Sequence, residues 1–166
     1  MAKKMDKKNT TNTDSTNTNA AIINTDSSIK NVLLDTNFFV DMFRFKIGFE
    51  DVEDVVGSKC EFWVIEATVG ELKKTRAKEA KVALKMIGYS IVKILRIREK
   101  AIRKRAASAD DAIISLVGQT KKQSKKAKDR PTDFIVATND AKLRKEIKAL
   151  GARVIYLRAR KHLEIH

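Results

Sequence analysis

Four carboxylates stand out by their positions in the chain. Asp35 ends the apolar run of VLLDTN, and Glu71 lies in VIEATVGELKK, six residues past another apolar run. Asp111 opens the apolar-patterned segment DAIISLV, and Asp140 closes VATND. If the apolar runs are parallel strands, their C-terminal ends share one edge, which is where ligands bind in such sheets. Four carboxylates gathered there without a histidine would repel one another if unpaired. A divalent cation relieves that repulsion, and ligation by oxygen alone suits magnesium or manganese. Such an ion lets an acidic pocket accept a phosphate. It also lowers the pKa of an attacking water and stabilises both oxygens of an in-line displacement. The chemistry implied is hydrolysis of a phosphodiester.

Each acid also has an ordinary explanation. Thr68-x-x-Glu71 and Ser108-x-x-Asp111 have the spacing of capping boxes. Asp140 in a first turn would be favoured by the helix dipole, and Asp35 could cap a helix starting at Thr36. Helix caps need not all fall at the same edge of a sheet, however, and these four do.

The elements that must position them follow from periodicity. NVLL (31–34), EFWVI (61–65), SIVKILRI (90–97), DFIVA (133–137) and RVIYL (153–157) read as strands. Helices are expected over 36–46, 50–57, 68–75, 77–88, 109–119 and 140–150, with a lysine-rich loop over 120–132. Phe38, Phe39, Met42 and Phe43 line one helix face, and Ile113, Ile114 and Val117 line another. Alternation of strand and helix predicts an α/β fold with three layers: a parallel sheet covered on both faces by helices. Residues 1–28 are mostly Asn, Thr, Ser, Asp and Lys with no aromatic residue, so a disordered tail is expected before a single domain over 29–166.

Composition narrows the class. A length of 166 residues allows one well-buried core. One cysteine, Cys60, rules out an intrachain disulfide and favours a reducing, cytoplasmic setting. The two histidines, His162 and His166, lie at the C-terminus, which argues against a histidine-held zinc or a Ser–His pair. No apolar stretch approaches the ~20 residues of a membrane helix, and the start, MAKKMDKKNT, has no signal-peptide core. The net charge is +14, and only five of the 35 basic and three of the 21 acidic residues fall within 1–30. The basic excess therefore belongs to the folded part, where it attracts polyanions, with nucleic acid the expected partner and no membrane.

LLDTNFFVD, VIEATVGELKK, SADDAII and FIVATNDAKLR together resemble the four acidic motifs of the PIN-domain nucleases, in order, over residues 31–161. The resemblance implies that Asp35, Glu71, Asp111 and Asp140 are the metal-holding, catalytic acids. Asp111 takes the third place because it directly precedes the AII segment, with Asp110 the alternate. It also implies that Asn37 orients Asp35 and that Thr138 supports the fourth acid. The Pro often found before the second motif's helix is absent. The ending ATNDAKLRKEIKALGARVIYLRARKHLEI is most similar to the subgroup containing the pre-rRNA-cleaving PIN nuclease of the small-subunit processome and its archaeal relatives. Composition and size suit an archaeal member. That subgroup implies an endoribonuclease acting on rRNA or pre-rRNA, with a ribosome-assembly protein as partner; a homodimer is left open.

Three basic groups should flank the acidic edge: Arg96, Arg98, Lys100, Arg103, Lys104 and Arg105; Lys73, Lys74 and Arg76; and Arg158, Arg160 and Lys161. Contacts of this kind position a strand without reading its sequence. The run 121–130 joins a helix back to a strand, so it falls at the opposite edge and reads as solvated surface. The aromatic residues sit at core positions and offer no stacking platform.

Rival readings are few. A haloacid-dehalogenase phosphatase needs Asp-x-Asp, and Asn37 occupies the second place. A receiver domain needs an early acidic pair and an aspartate after the third strand. A toxin ribonuclease paired with an antitoxin would use the same acids. A non-catalytic RNA-binding scaffold would not need all four. Reversing the charges of Arg103, Lys104 and Arg105 should weaken RNA binding and flatten its salt dependence. An unchanged slope of log affinity against log salt would place the RNA on another surface.

Overall fold

A computed structural model describes residues 28–97, 108–124 and 134–166, with side chains unassigned over 120–124. In chain order the elements are β1 (Lys30–Leu34), α1 (Thr36–Phe45), α2 (Phe49–Val56), β2 (Cys60–Ile65), α3 (Glu66–Lys74) and α4 (Lys78–Gly88). They continue with β3 (Val92–Leu95), α5 (Ala109–Ser124), β4 (Phe134–Ala137), α6 (Ala141–Ala149), β5 (Val154–Arg158) and β6 (His162–Ile165).

The strands form one sheet in the order β3-β2-β1-β4-β5-β6, with β1 to β5 parallel and β6 antiparallel to β5. β1 is central, so both of its faces are covered, which is why it reads as an unbroken apolar run rather than an alternation. Val32 and Leu34 point into a core with Phe38, Phe39 and Met42 of α1, Val52 of α2, Leu72 of α3 and Ala80 and Ala83 of α4. Leu33 points the other way, into a second core with Trp63, Ile113 and Val117 of α5 and Leu143 and Ile147 of α6. This is the three-layer arrangement expected from the alternation of elements. Two buried polar groups beneath α5 and α6 satisfy each other, Trp63 Nε1 donating to Asn31 Oδ1 at 3.0 Å.

The chain steps from β1 to β2 on one side and returns to β4 on the other. Asp35 therefore lies at the point where the strand order reverses, and its N–H donates to the Ala137 carbonyl at 3.0 Å. In doubly wound sheets that crevice is the ligand site.

The structure departs from the sequence reading in three places. β6 was not expected, and it makes the sheet mixed. The β5–β6 reversal carries no Gly or Asn; Ala159 and Arg160 both adopt left-handed backbone, at φ 49° and 61°. α3 begins at Glu66, so Thr68 lies inside the helix, fully buried, and no capping box forms with Glu71. α5 runs to Ser124, taking part of the lysine-rich stretch into helix, as the good propensity of Lys and Gln allows. The tail over 1–27 and most of the expected 120–132 loop lie outside the described residues.

Candidate active site

Asp35 occupies the N-cap position of α1 with extended backbone (φ −72°, ψ 153°), and its carbonyl accepts from Phe39 N–H at 2.9 Å. Its carboxylate makes no capping bond. Instead Oδ2 accepts from the Thr138 hydroxyl at 3.0 Å, and the residue is 2% exposed. The ordinary N-cap bond to the N–H groups deeper in the first turn is therefore not made, although the Thr36 N–H at the very start of α1 still favours the charged carboxylate. Burial pushes its pKa up to about 6; the Thr138 hydroxyl opposes the shift, and the charges of Asp110 and Glu71 add to it.

Glu71 is half-buried on α3 and joins three elements. Oε2 accepts from the Thr36 hydroxyl at 2.5 Å, at the start of α1. Oε1 accepts from the Ala109 N–H at 3.3 Å, the first residue of α5. Glu71 thus caps a helix, but not its own.

That contact places the α5 N-terminus against the same edge. The Asp110 carboxyl is held above its ordinary range by burial, then by the charges of Asp140, Glu71 and Asp111, with Lys142 opposing. Successive helical residues point about 100° apart, so one of the two acids faces the cluster and the other turns away. Asp110 feels the charges of Asp140 and Glu71, and its own charge reaches Asp35. The Asp111 N–H is capped by Ser108 Oγ at 3.2 Å.

Asp140 is the N-cap of α6, its Oδ1 accepting from Leu143 N–H at 2.7 Å, so for this acid the cap explanation holds for one oxygen. Its own N–H donates to Thr138 Oγ1 at 3.1 Å. Thr138 therefore links the two acids, donating to one and accepting from the backbone of the other.

The Asn37 side chain is exposed and makes no hydrogen bond to Asp35 among the described residues. Three other positioning residues went unseen in the sequence. Thr36 holds Glu71. Asn139 donates to Asp41 Oδ2 at 2.9 Å and accepts from Leu157 N–H at 2.9 Å, clamping the loop that carries Asp140 to α1 and β5. Lys142 puts a positive charge near Asp110. Thr36 and Asn139 each lie beside an acid in DTN and TND, and that adjacency was the available signal.

Of the expected basic contacts, Lys73, Lys74, Arg76 and Lys161 are exposed. Arg96 lies 3.7 Å from Glu66, and Arg158 is paired with Glu164 at 2.8 Å. The Arg160 guanidinium sits 5.9 Å from the centre of the Phe45 ring. Arg98, Lys100, Arg103, Lys104 and Arg105 lie outside the described residues.

Four hard-oxygen donors with a buried, mutually repelled member fit a divalent cation by their chemistry. Among the described residues no three such side chains converge closely enough to hold an ion as they stand, so ligation requires them to turn inward.

A family profile described as "PIN like domain" matches residues 32–160. Ribonuclease VapC4 of Methanocaldococcus jannaschii is 26% identical over 137 residues, covering 81% of this chain and 95% of that protein. The solved structure of the PIN domain endonuclease Utp24 superposes with a TM-score of 0.64 at 24% identity, covering 82% of this chain and 90% of the other.

The Asp35 shift fixes a pH dependence. A folded-state pKa of about 6, raised above 3.8, favours the protonated form. That contribution is full below the unfolded value and is lost as pH rises through about 6, where the buried charge comes to cost about 3 kcal/mol. Asp35→Asn should therefore stabilise the chelator-treated protein at pH 8 by up to about that amount, with little effect at pH 4. Denaturant unfolding at the two pH values measures it. An Asn variant no more stable than wild type at pH 8 would contradict the assigned burial.

Proposed function

The chain belongs to the PIN-like domain family, and from that premise we propose that it is an endoribonuclease that hydrolyses RNA phosphodiester bonds with a divalent metal ion, magnesium or manganese. The observation that carries this reading is Asp35: a carboxylate 2% exposed that makes no side-chain cap bond and feels the charges of Asp110 and Glu71. A fold has little structural reason to keep such a group.

When bound, the metal would neutralise the acids and activate water at the phosphate. Asp35, Glu71, Asp110 and Asp140 would hold it. Asp110 is assigned the third place rather than Asp111, because its carboxyl feels the charges of Glu71 and Asp140. The chain's other groups position these acids. The Thr138 hydroxyl fixes Asp35, the Thr36 hydroxyl and the Ala109 N–H fix Glu71, and the Asn139 clamp holds the Asp140 loop. Lys73, Lys74, Lys142, Arg160 and Lys161 supply exposed positive charge for backbone phosphates. Arg158 contributes less, being held by Glu164.

The biological role we favour is cytoplasmic rRNA processing with a ribosome-assembly partner. A second reading, a toxin ribonuclease held by an antitoxin, is kept because of the similarity to Ribonuclease VapC4. Growth arrest on expression that disappears in Asp35→Asn would favour the second.

Cleavage of a structured RNA with manganese or magnesium tests the activity. Wild type and Asp111→Asn should cut, while Asp35→Asn and Asp110→Asn should lose at least about a hundredfold, the scale of losing a catalytic electrostatic contact. Undiminished cutting by Asp35→Asn would overturn the assignment of the site. Loss in Asp111→Asn with retention in Asp110→Asn would exchange the two acids.

A further inference from the structure

We propose that the cavity between the end of α1, α2 and the β5–β6 turn is a subsite for one unpaired ribonucleotide of the substrate strand, whose base presents an amino group. This rests on the ribonuclease reading above and adds a specificity determinant to it.

The cavity measures about 650 Å³, within the range of small-ligand sites. Phe45, Ile47, Val55 and Leu163 supply its apolar surface, Asp51 and Asp54 its carboxylates, and Lys46, Arg160 and Lys161 its cations. Asp51 already accepts from the Gly48 N–H, which leaves Asp54 the carboxylate open to a ligand. The two signs come from different elements: the carboxylates from α2 and the cations from the end of α1 and the β5–β6 turn. A nucleotide carries the complementary pair, an amino-bearing base edge and a phosphate. The Phe45 ring, only half-buried, offers a face on which a base can stack. The exposed Arg160 guanidinium over that ring can shift aside to sandwich a base or engage its phosphate.

These charges are available. Asp54 makes no hydrogen bond or ion pair, and Arg160 and Lys161 make no ion pair, among the described residues. By contrast the neighbouring Arg158 is tied to Glu164. The turn that presents Arg160 holds two successive non-glycine residues in left-handed backbone, a conformation unfavourable for residues with a Cβ. Strain of this kind gathers at ligand clamps.

The cavity is also joined to the acids. Asn139, next to Asp140, bonds to Asp41 and to Leu157 N–H. Asp41 is one helical turn, about 6 Å, from Phe45 along α1, and Leu157 is followed within the same hairpin by Arg160. A strand cut beside Asp140 could therefore lay a nearby nucleotide into the cavity. An aspartate accepts from the amino groups of cytosine, adenine or guanine. Uracil has no amino group, so the subsite should disfavour it.

The test uses the full chain in chelator, titrated with each of the four ribonucleoside 5′-monophosphates while the methyl resonances of Val55 and Leu163 are followed by NMR. The expected result is a shift of these methyls, with UMP the weakest ligand. Asp54→Asn should narrow the gap between UMP and the others, and Arg160→Ala should weaken all four. In parallel, wild type and Asp54→Asn are given a randomised RNA. The variant should lose a base preference at one fixed offset from the cut, read as a ratio between bases rather than as total cleavage. Cleavage by wild type with no nucleotide-dependent shift at Val55 or Leu163 would overturn the subsite alone, and the cavity would then serve something else, such as a protein partner. Shifts without any cleavage would overturn the nuclease reading and leave a nucleotide site.

Discussion

Asp35 has been taken out of water at the end of the central strand, and the surrounding structure is arranged around the consequences. Its backbone is committed to the sheet through Ala137 and to α1 through Phe39, so the side chain cannot leave without unpicking both. One hydroxyl, Thr138, meets it. The charges of Asp110 and Glu71 make its ionised form less favourable still. A fold under selection for stability alone would place Asn or an apolar residue there. What the arrangement gains is a pre-positioned negative field at the point of strand reversal, where a cation and a phosphate can meet.

The other acids are positioned by borrowed bonds. Glu71 is held by the first residue of α1 and the first residue of α5, so it couples the two helices that open at this edge. Asp140 divides its role, one oxygen capping α6 and the rest of the loop fixed by Thr138 and Asn139. Asp35 and Glu71 are therefore each oriented by a neighbour from a different strand-to-helix junction. The site exists only when the parallel sheet has brought those junctions together.

Much of this was legible in the residues. The apolar runs marked β1, β2 and β4 because burial on both faces removes any alternation. β3 and β5 were marked by apolar stretches that include an exposed position, and the acids beyond the strands marked the ligand edge. Thr138 was visible because it lies two residues before Asp140. What was not legible has physical causes. β6 is four residues long and follows a reversal without Gly or Asn, although HLEI does alternate as an edge strand should. The choice between Asp110 and Asp111 depends on helix rotation, which adjacency cannot reveal. Asn37 lay in the same triplet as Thr36, but the helix turned the threonine toward Glu71 and the asparagine to solvent.

The central claim is that the acids at this edge are a cation site and not a set of helix caps. Titration of manganese into the metal-free protein at pH 7.5, followed by electron paramagnetic resonance, tests it most directly. Ion binding by wild type that is lost in Asp35→Asn is the predicted result. Equal binding by the two proteins, or none by wild type, would contradict the account.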